Sequence, residues 1–304
     1  MHSRTAERSF FLEEIDGVRA LLSSLPRPTS LAERRERLDT VASAYGIASD
    51  IAFEPVRIGT CEAEWSLAPD IDPDRVLLYF HGGGYCSGSI RSHRGMVSEI
   101  GRAAKVRTLA LGYRLAPEHP FPAALEDAVA AVEYLLAMGI PAERIAIGGD
   151  SAGGGLTLAT MIRLREAGRS LPACAWLVSP WVDLEMSGAS IDTKDADDPL
   201  IHRAYLQELA SAYCGKESPR NPLISPLYAD LSGLPPILVQ VGSAETLLDD
   251  AVAIVERLGE ADRRVTLEIW PRMIHAWHLW SARLTAGQQA IASAGAYIDR
   301  HLAK

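Results

Sequence analysis

The feature that most constrains the fold is an alternation of short apolar runs with helical segments. It starts after residue 70 and continues to the end of the chain. The predicted strands are 75–80, 106–111, 144–148, 173–178, 236–241 and 265–270. The predicted helices lie near 92–104, 123–138, 152–167, 247–259 and 279–302. Uninterrupted apolar strands separated by helices are typical of a mostly parallel sheet that is buried on both faces. We therefore expect an α/β protein with helices on both sides of a central sheet.

The segment that precedes this alternation has a different pattern. In the first fifty residues, Phe10, Phe11 and other apolar side chains recur at helical spacing, which predicts helices. From residue 51 the period changes, and 51–58 and 61–67 are predicted to form an antiparallel strand pair at one edge of the sheet.

Composition and charge exclude several classes of protein. The chain has 39 acidic and 30 basic side chains, a net charge of −9, and no basic block. Because lysine and arginine carry most of the affinity for phosphates, no nucleic-acid partner is expected. No apolar stretch approaches the roughly 20 residues of a membrane-spanning helix, and the charged start does not resemble a secretory signal, so we expect a cytoplasmic protein without membrane insertion. The four cysteines lie far apart, which predicts neither a zinc site nor a disulfide framework.

Residues 149–153 read GDSAG, a G-x-S-x-G pattern between a predicted strand and a predicted helix. A nucleophilic serine needs this context, because a sharp turn lifts its hydroxyl above the sheet and flanking glycines avoid collisions there. The alternative is a glycine-rich turn that binds phosphate, but no Gly-Lys-Ser/Thr follows and no dinucleotide fingerprint fits. The pattern predicts that Ser151 is a nucleophile on this turn, which we call the nucleophile elbow.

The sequence His-Gly-Gly-Gly at residues 81–84 directly follows the predicted strand 75–80. Consecutive glycines at a strand end let main-chain N–H groups approach a ligand closely, as an oxyanion hole requires. A flexible loop without chemical importance is the alternative. Upstream of a nucleophile elbow, the pattern indicates an oxyanion hole.

Together with YRLAPEHPFPA at residues 113–123, these two motifs resemble the bacterial hormone-sensitive-lipase family of esterases, also called family IV. The resemblance covers essentially the whole chain and implies an α/β-hydrolase fold, a Ser–acid–His triad and hydrolysis of short-acyl esters without a cofactor or metal. In that family the oxyanion donors are the second and third glycines of the loop and the residue after the serine. Here these residues are Gly83, Gly84 and Ala152.

The resemblance also implies a division of the chain into a core and a cap. Between residues 180 and 235 no strand is predicted, and so long an insertion is usually a lid or cap rather than a linker. We expect residues 51–182 and 226–304 to form the catalytic core, residues 1–50 an N-terminal helical cap segment, and residues 183–225 a second cap segment inserted in the core.

The triad acid is expected in the loop after the strand 236–241. The family usually has Asp-Pro-Leu where this chain has Glu245-Thr246-Leu247, and Asp249 and Asp250 are rivals. Thr246 followed by Asp249 resembles a helix cap, which would place both aspartates in the first helical turn. Glu245 precedes that turn, in the loop that should face the histidine, and is the predicted acid.

The base is expected after the last strand, where the family's histidine precedes a Gly-Phe pair. Ala276 and Trp277 occupy that place here, so His275 is the predicted base. His278, one helical turn later, is predicted to be a packing or surface residue. The two histidines do not indicate a metal site, because H-E-x-x-H is absent.

These residues predict a carboxylesterase that works by acyl transfer on a small-molecule ester. Asp150 is expected to support the elbow. Five side chains are predicted to line the acyl or alcohol pocket: Tyr85, Trp181, Leu200, Ile201 and Tyr205. A lactone hydrolase or an arylacetamide-type deacetylase on the same fold remains open. A non-catalytic binding protein and a nicotinamide-dependent enzyme are disfavoured by the complete triad and the missing fingerprint, and a homodimer is the default oligomer.

Overall fold

The computed structural model describes residues 2–25, 28 and 30–303, with side chains from Glu13 onward. Its strands are β1 (Ala52–Ile58), β2 (Cys61–Leu67), β3 (Asp72–Phe80), β4 (Val106–Gly112), β5 (Ile145–Asp150), β6 (Cys174–Val178), β7 (Ile237–Gly242) and β8 (Val265–Trp270). Every predicted strand is present, with ends that differ by a few residues.

Helices separate the strands as the alternation predicts. They are α1 (His2–Ser24), α2 (Leu31–Val41), α3 (Ile90–Ala104), α4 (Ala123–Ala137), α5 (Ala152–Glu166), α6 (Ser190–Thr193), α7 (Arg203–Cys214), α8 (Leu248–Glu260) and α9 (Thr285–His301). None of the helices in the described part of the chain is long and apolar enough to cross a membrane.

All the strands belong to one sheet, in the order β1-β2-β4-β3-β5-β6-β7-β8. The strand β2 is antiparallel to both of its neighbours, whereas the pairs from β4 to β8 are parallel. The predicted antiparallel pair at the sheet edge is confirmed, with Gly59 at φ +57° in its turn. The fold is thus an α/β-hydrolase sheet whose parallel strands direct their carboxyl ends to one side.

The two faces of the sheet are covered by different helices, because successive side chains of a strand point to opposite faces. In β3, Leu78 and Phe80 pack in a core with α4, α5 and α8. The alternating residues Leu77 and Tyr79 pack in a second core with α3 and α9. Burial on both faces explains why the central strands are apolar throughout.

The N-terminal helix packs on the end of the molecule where the last strand leaves the sheet. Ile15 and Val18 of α1 are buried in a third cluster with Trp277 and Trp280. The side chains of Phe10 and Phe11, which the sequence pattern places in this helix, lie outside the described ones. Residues far apart in the sequence therefore form one apolar contact.

The prediction of a single helix over 279–302 is wrong at its start. A 3-10 turn spans Trp277–Trp280, Leu284 is extended, and α9 begins only at Thr285. The amide and hydroxyl of Thr285 donate to the carboxylate of Glu14 in α1, at 2.8 and 2.9 Å. This cap comes from the other end of the chain, so no local pattern indicates it. The spacing of the apolar residues in 279–302 is compatible with one helix or with two.

Candidate active site

Ser151 occupies a sharp turn between β5 and α5. Its backbone has φ +55° and ψ −120°, a sparsely populated conformation that costs about 1–3 kcal/mol. The amide of Ser151 donates to the carbonyl of Val178 at 2.8 Å and holds the turn against the next strand. A Cβ on Gly149 or Gly153 would collide with the carbonyl of Phe80. Both glycines of the elbow are therefore required by the close packing of the chain on β3.

The glycine loop after β3 lies beside this turn. Gly83 and Gly84 have φ values of +112° and +63°, which favour glycine, and a Cβ on Gly84 would collide with Leu209 of α7. Among the hydrogen bonds of the described residues, none uses the amides of Gly83, Gly84 or Ala152 as a donor. The three predicted oxyanion donors are thus available to a ligand.

Asp150 connects the elbow to the glycine loop. Its Oδ1 accepts hydrogen bonds from the amide of Gly82 at 2.9 Å and from the hydroxyl of Tyr79 at 2.7 Å, and its Oδ2 lies 3.2 Å from Nε2 of His93. Burial alone would raise the pKa of Asp150, but the charge and hydrogen bonds of His93 and Tyr79 lower it to about 2. Asp150 is a buried anion that supports the elbow, as the sequence suggests.

Glu245 and His275 meet at the carboxyl ends of β7 and β8. The Nδ1 of His275 donates to Oε2 of Glu245 at 2.9 Å. The other oxygen, Oε1, accepts from the hydroxyl of Ser179 at 2.8 Å and from the amide of Gly242 at 2.5 Å. Because Glu245 has no solvent exposure, these bonds fix its carboxylate.

The pKa of His275 is raised above its ordinary value of 6.5. Burial by itself lowers this pKa, but the hydrogen bond and the negative charge of Glu245 outweigh burial, and Asp198 and Asp150 add to the effect. The surroundings therefore stabilise the imidazolium form, which makes the neutral imidazole a stronger base.

The two rival acids have other partners. Asp249 accepts the amide of Ser190 at 2.8 Å, and Asp250 accepts the amide of Val182 at 2.9 Å. Both aspartates lie in the first turn of α8, as predicted. Neither has a hydrogen bond to His275, so their carboxylates hold the start of the 183–225 segment instead.

The predicted helix cap at Thr246 is wrong. The residue at the N-cap of α8 is Leu247, which makes no capping bond through its side chain. The amide and hydroxyl of Thr246 donate instead to Oδ2 of Asp198, at 3.0 and 3.3 Å. Thr246 is thus held by a buried carboxylate from a distant segment, and the amide of Asp249 in the first turn of α8 donates to the hydroxyl of Ser190 at 2.9 Å.

Ser151 and His275 both line a cavity of about 440 Å³. Most of the lining side chains are apolar, as in small-molecule sites. Of the five predicted pocket residues, four line this cavity: Trp181, Leu200, Ile201 and Tyr205. The sequence did not indicate other lining residues, among them Leu38, Tyr45, Leu209 and Trp280.

The prediction that Tyr85 lines the pocket is wrong. Its backbone has φ +62°, and its ring stacks on Tyr213 with the centroids 3.7 Å apart, away from the cavity lining. A Cβ on Gly155 would approach the hydroxyl of Tyr85 at 2.8 Å, which places that hydroxyl against α5. Tyr85 is therefore a core residue beneath the glycine loop.

His278 is a buried packing residue, one of the two roles predicted for it. Its Nε2 lies 2.9 Å from Oε1 of Gln240, and its ring packs against Trp277. Burial lowers the pKa of His278 to about 3, so the residue is neutral and serves the packing of the 3-10 turn.

Two polar residues near the site are not indicated by any pattern in the sequence. His93 reaches Asp150 from α3, and Asp198 reaches Thr246 from the 183–225 segment. Asp198 lies in a run of aspartates that resembles a solvated loop, although it is only 2% exposed. No local spacing indicates either contact, because each joins elements that only the fold brings together.

Known proteins resemble this chain over nearly its whole length. A family described as having the alpha/beta hydrolase fold matches residues 77–279. An acetyl-hydrolase of Streptomyces hygroscopicus is 45% identical over 287 residues, which cover 94% of this chain and 96% of that protein.

Solved structures resemble it closely as well. The crystal structure of an esterase from the bacterial hormone-sensitive lipase family has a TM-score of 0.93 and 44% identity, over 96% of this chain and 99% of that chain. The structure of EstE5 soaked with p-nitrophenyl butyrate has a TM-score of 0.91 and 40% identity, over 95% and 98%.

Proposed function

The chain belongs to the bacterial hormone-sensitive-lipase family of α/β-hydrolases and is a carboxylesterase of the serine hydrolase class, and we propose that it hydrolyses short-acyl esters through a triad of Ser151, His275 and Glu245. The observation that carries the proposal is the 2.9 Å hydrogen bond between Glu245 and His275, at the wall of the cavity that Ser151 also lines.

The hydrogen bond to Glu245 defines which nitrogen of His275 acts as the base. Because Nδ1 donates its proton to the carboxylate, the neutral imidazole carries a free electron pair on Nε2. Nε2 takes the proton of the Ser151 hydroxyl while Oγ attacks the ester carbonyl carbon. Glu245 stabilises the imidazolium that forms without itself taking the proton.

The amides of Gly83, Gly84 and Ala152 stabilise the oxyanion of the tetrahedral intermediate. They belong to the loop after β3 and to the first residue of α5, which lie on either side of the elbow. Each such donor is typically worth about 3 kcal/mol of transition-state stabilisation. Their positions are fixed before the reaction, because Asp150 holds the loop against the elbow.

The reaction proceeds through an acyl-enzyme. The imidazolium of His275 gives its proton to the ester oxygen of the alcohol, the bond from that oxygen to the carbonyl carbon breaks, and the acyl group stays on Oγ of Ser151. Water then repeats the attack with His275 as the base, and the carboxylic acid leaves. Side chains and amides supply every step, so we propose no cofactor.

The dimensions and lining of the cavity support a short acyl group. A cavity of about 440 Å³ lies at the lower end of the range for small-molecule sites. Bulky side chains such as Trp181 and Tyr205 form part of its wall. The name of the Streptomyces relative and the butyrate ester soaked into EstE5 agree with this choice.

We also propose that residues 1–50 and 183–225 form a cap over the sheet. Leu22 of α1, together with Leu38 and Val41 of α2, lines the cavity from one side, and the stretch 199–206 lines it from the other. Catalytic groups come from the core and most of the apolar wall comes from these two segments. The proposed partner is therefore a small-molecule ester that enters between them.

The test of the triad is hydrolysis of p-nitrophenyl butyrate by wild-type protein and by Ser151→Ala. We expect the variant to lose kcat by a factor on the order of 10⁴ or more. Ser43→Ala is the matched control, because Ser43 is exposed and hydrogen-bonds only locally to Thr40. Retention of the wild-type rate by Ser151→Ala would overturn the proposed mechanism.

The acyl preference needs a separate measurement. We expect kcat/KM to be highest for p-nitrophenyl acetate or butyrate and to fall for octanoate and palmitate, because the cavity cannot hold the longer chains. A kcat/KM that rises with chain length would contradict the short-acyl proposal and leave the triad untouched.

A further inference from the structure

One buried carboxylate of the 183–225 segment touches the pocket wall. The Oδ1 of Asp198 accepts hydrogen bonds from the amides of Leu200 at 2.9 Å and Ile201 at 3.0 Å. Both of these residues line the cavity. The bonds close a tight turn, so one oxygen atom sets the direction in which this part of the wall enters the cavity.

The second oxygen of the same carboxylate holds the loop of the proposed catalytic acid. The Oδ2 of Asp198 accepts from the amide of Thr246 at 3.0 Å and from its hydroxyl at 3.3 Å. Thr246 directly follows Glu245, so these bonds fix the peptide next to the acid. The hydroxyl of Ser190 supports the same place by donating to the carbonyl of Thr246 at 2.6 Å.

Within the described part of the chain, Asp198 has no cation as a partner. Among the described residues, no ion pair includes Asp198, whereas the nearby Asp192 and Asp195 pair with Arg203 and His202. Four N–H and O–H donors satisfy the buried carboxylate instead, which is how a protein retains a charge in its interior. The negative charge of Asp198 contributes to the raised pKa of His275.

We propose, on the basis of the function proposed above, that Asp198 is a positioning residue that fixes the pocket wall at Leu200 and Ile201 relative to the loop of Glu245. The two halves of the site come from different segments of the chain, and the carboxylate joins them directly. An acyl group seated against Leu200 and Ile201 is thereby held at a constant distance from the Glu245–His275 pair.

Asp198→Asn separates the two halves of this role. The side-chain oxygen of asparagine can still accept the amides of Leu200 and Ile201, and its NH₂ group then faces Thr246. The hydroxyl of Thr246 can accept from this group, but its amide N–H loses its acceptor. We expect kcat for p-nitrophenyl butyrate to fall about tenfold while KM stays within about twofold.

Asp198→Ala removes both contacts and gives a different signature. Because the turn at Leu200 and Ile201 also loses its acceptor, we expect KM to rise about fivefold in addition to the loss of kcat. This difference between the two variants distinguishes positioning of two separate elements from a general loss of stability.

The pH profile provides a second readout that a merely structural role would not change. The carboxylates that face His275 are Glu245, Asp198 and Asp150, and each raises its pKa. Asp198→Asn removes one of these charges, so the acidic limb of kcat/KM should move to lower pH. Asp192→Asn is the matched control, because Asp192 is exposed in the same segment and pairs with Arg203.

A gentler variant keeps the test decisive if Asp198→Asn does not fold. Thr246→Val retains the charge and the amide bond and loses only the 3.3 Å hydroxyl bond. We expect kcat to fall about two- to fivefold, which corresponds to the ordinary worth of one hydrogen bond, and the acidic limb of kcat/KM to stay unchanged.

The outcomes separate this proposal from the proposed function. If Asp198→Asn folds and has the wild-type kcat and an unshifted limb, or if it does not fold and Thr246→Val has the wild-type kcat, the positioning role is wrong while the esterase stands. If Ser151→Ala retains activity, the proposed mechanism fails whatever Asp198 does.

Discussion

The carboxylate of Asp150 accepts the amide hydrogen of Gly82 at 2.9 Å, so the residue next to Ser151 holds the loop that presents the proposed oxyanion donors. The contact is buried, with Asp150 only 3% exposed. Stabilisation of an oxyanion depends on donors that are in place before charge develops. A hydrogen bond that touches no substrate therefore bears on the reaction rate.

Replacement of Asp150 should change kcat according to what the new side chain can accept. Asp150→Ala removes the acceptor of the Tyr79 hydroxyl and the 2.9 Å acceptor of the Gly82 amide, which keeps only a longer bond of 3.3 Å to Nε2 of His93. We expect kcat to fall by a factor on the order of 10² with little change in KM. Asp150→Asn can still accept both bonds through its side-chain oxygen and should lose less than about tenfold. Steady-state kinetics with p-nitrophenyl butyrate distinguish the two variants.

Tyr79→Phe is the control for this prediction. It removes one bond to Asp150 and leaves the bond from Gly82 in place. Its kcat should remain within a few-fold of the wild-type value. Equal losses in Asp150→Ala and Asp150→Asn would mean that the charge of Asp150, rather than its bond to the glycine loop, matters for catalysis.

The activity should fall on the acidic side with a midpoint above pH 6.5. In the proposed mechanism, protonated His275 cannot accept the serine proton. Its pKa is raised above 6.5, chiefly by Glu245 acting against burial. A raised pKa moves the acidic limb to higher pH, so activity is lost earlier as the pH decreases. The dependence of kcat/KM on pH reports this pKa for the free enzyme.

Glu245→Gln tests the origin of that midpoint. Removal of the carboxylate should move the midpoint below that of the wild type and lower the plateau of kcat/KM by a factor on the order of 10³ or more. Asp249→Asn, which changes a rival acid without a bond to His275, should keep the wild-type midpoint. A midpoint that stays in place in Glu245→Gln would remove Glu245 from the triad.

Local patterns in the sequence account for what could be predicted. The strands, the strand-to-helix turn at Ser151 and the glycine loop are encoded within a few residues, because each depends on burial period or on glycine conformation. The order of serine, acid and histidine then follows from the order of strands in the sheet. The place of Glu245 before a helix, which is also a local feature, favours it over Asp249 as the proposed acid.

Contacts between distant segments could not be predicted. The contacts of Asp198 with Thr246 and of Asp150 with Gly82 join elements that only the folded sheet brings near, and an aspartate in a polar run resembles a solvated one. The sequence does not show on which side of the glycine loop the ring of Tyr85 lies, because an aromatic residue there can point either way. Its left-handed backbone directs it into the core. A local sequence pattern indicates candidate reacting residues more readily than it indicates the side chains that position them.

Gly153 is tightly packed and Gly259 lies beside open space, so alanine at these two positions should change the stability in opposite directions. Gly153→Ala would drive a methyl group into the carbonyl of Phe80, and we expect it to lower the free energy of unfolding by about 3 kcal/mol or more. Gly259→Ala places its methyl group in open space on α8 and should raise that free energy by about 0.5–1 kcal/mol. Urea denaturation measures both, and similar effects at the two sites would contradict the packing at the elbow.

The contact between Glu14 and Thr285 predicts that the N-terminal helix stabilises the C-terminal one. Glu14 accepts the amide and hydroxyl of Thr285 at the first turn of α9, so Glu14→Ala should lower the free energy of unfolding by about 1 kcal/mol, the usual worth of a helix cap. Glu14→Gln retains an acceptor and should lose less. Glu13→Ala, at the exposed neighbouring position, should stay within about 0.5 kcal/mol of the wild type. If Glu14→Ala unfolds at the wild-type urea concentration, α9 begins at Thr285 for a reason other than this cap.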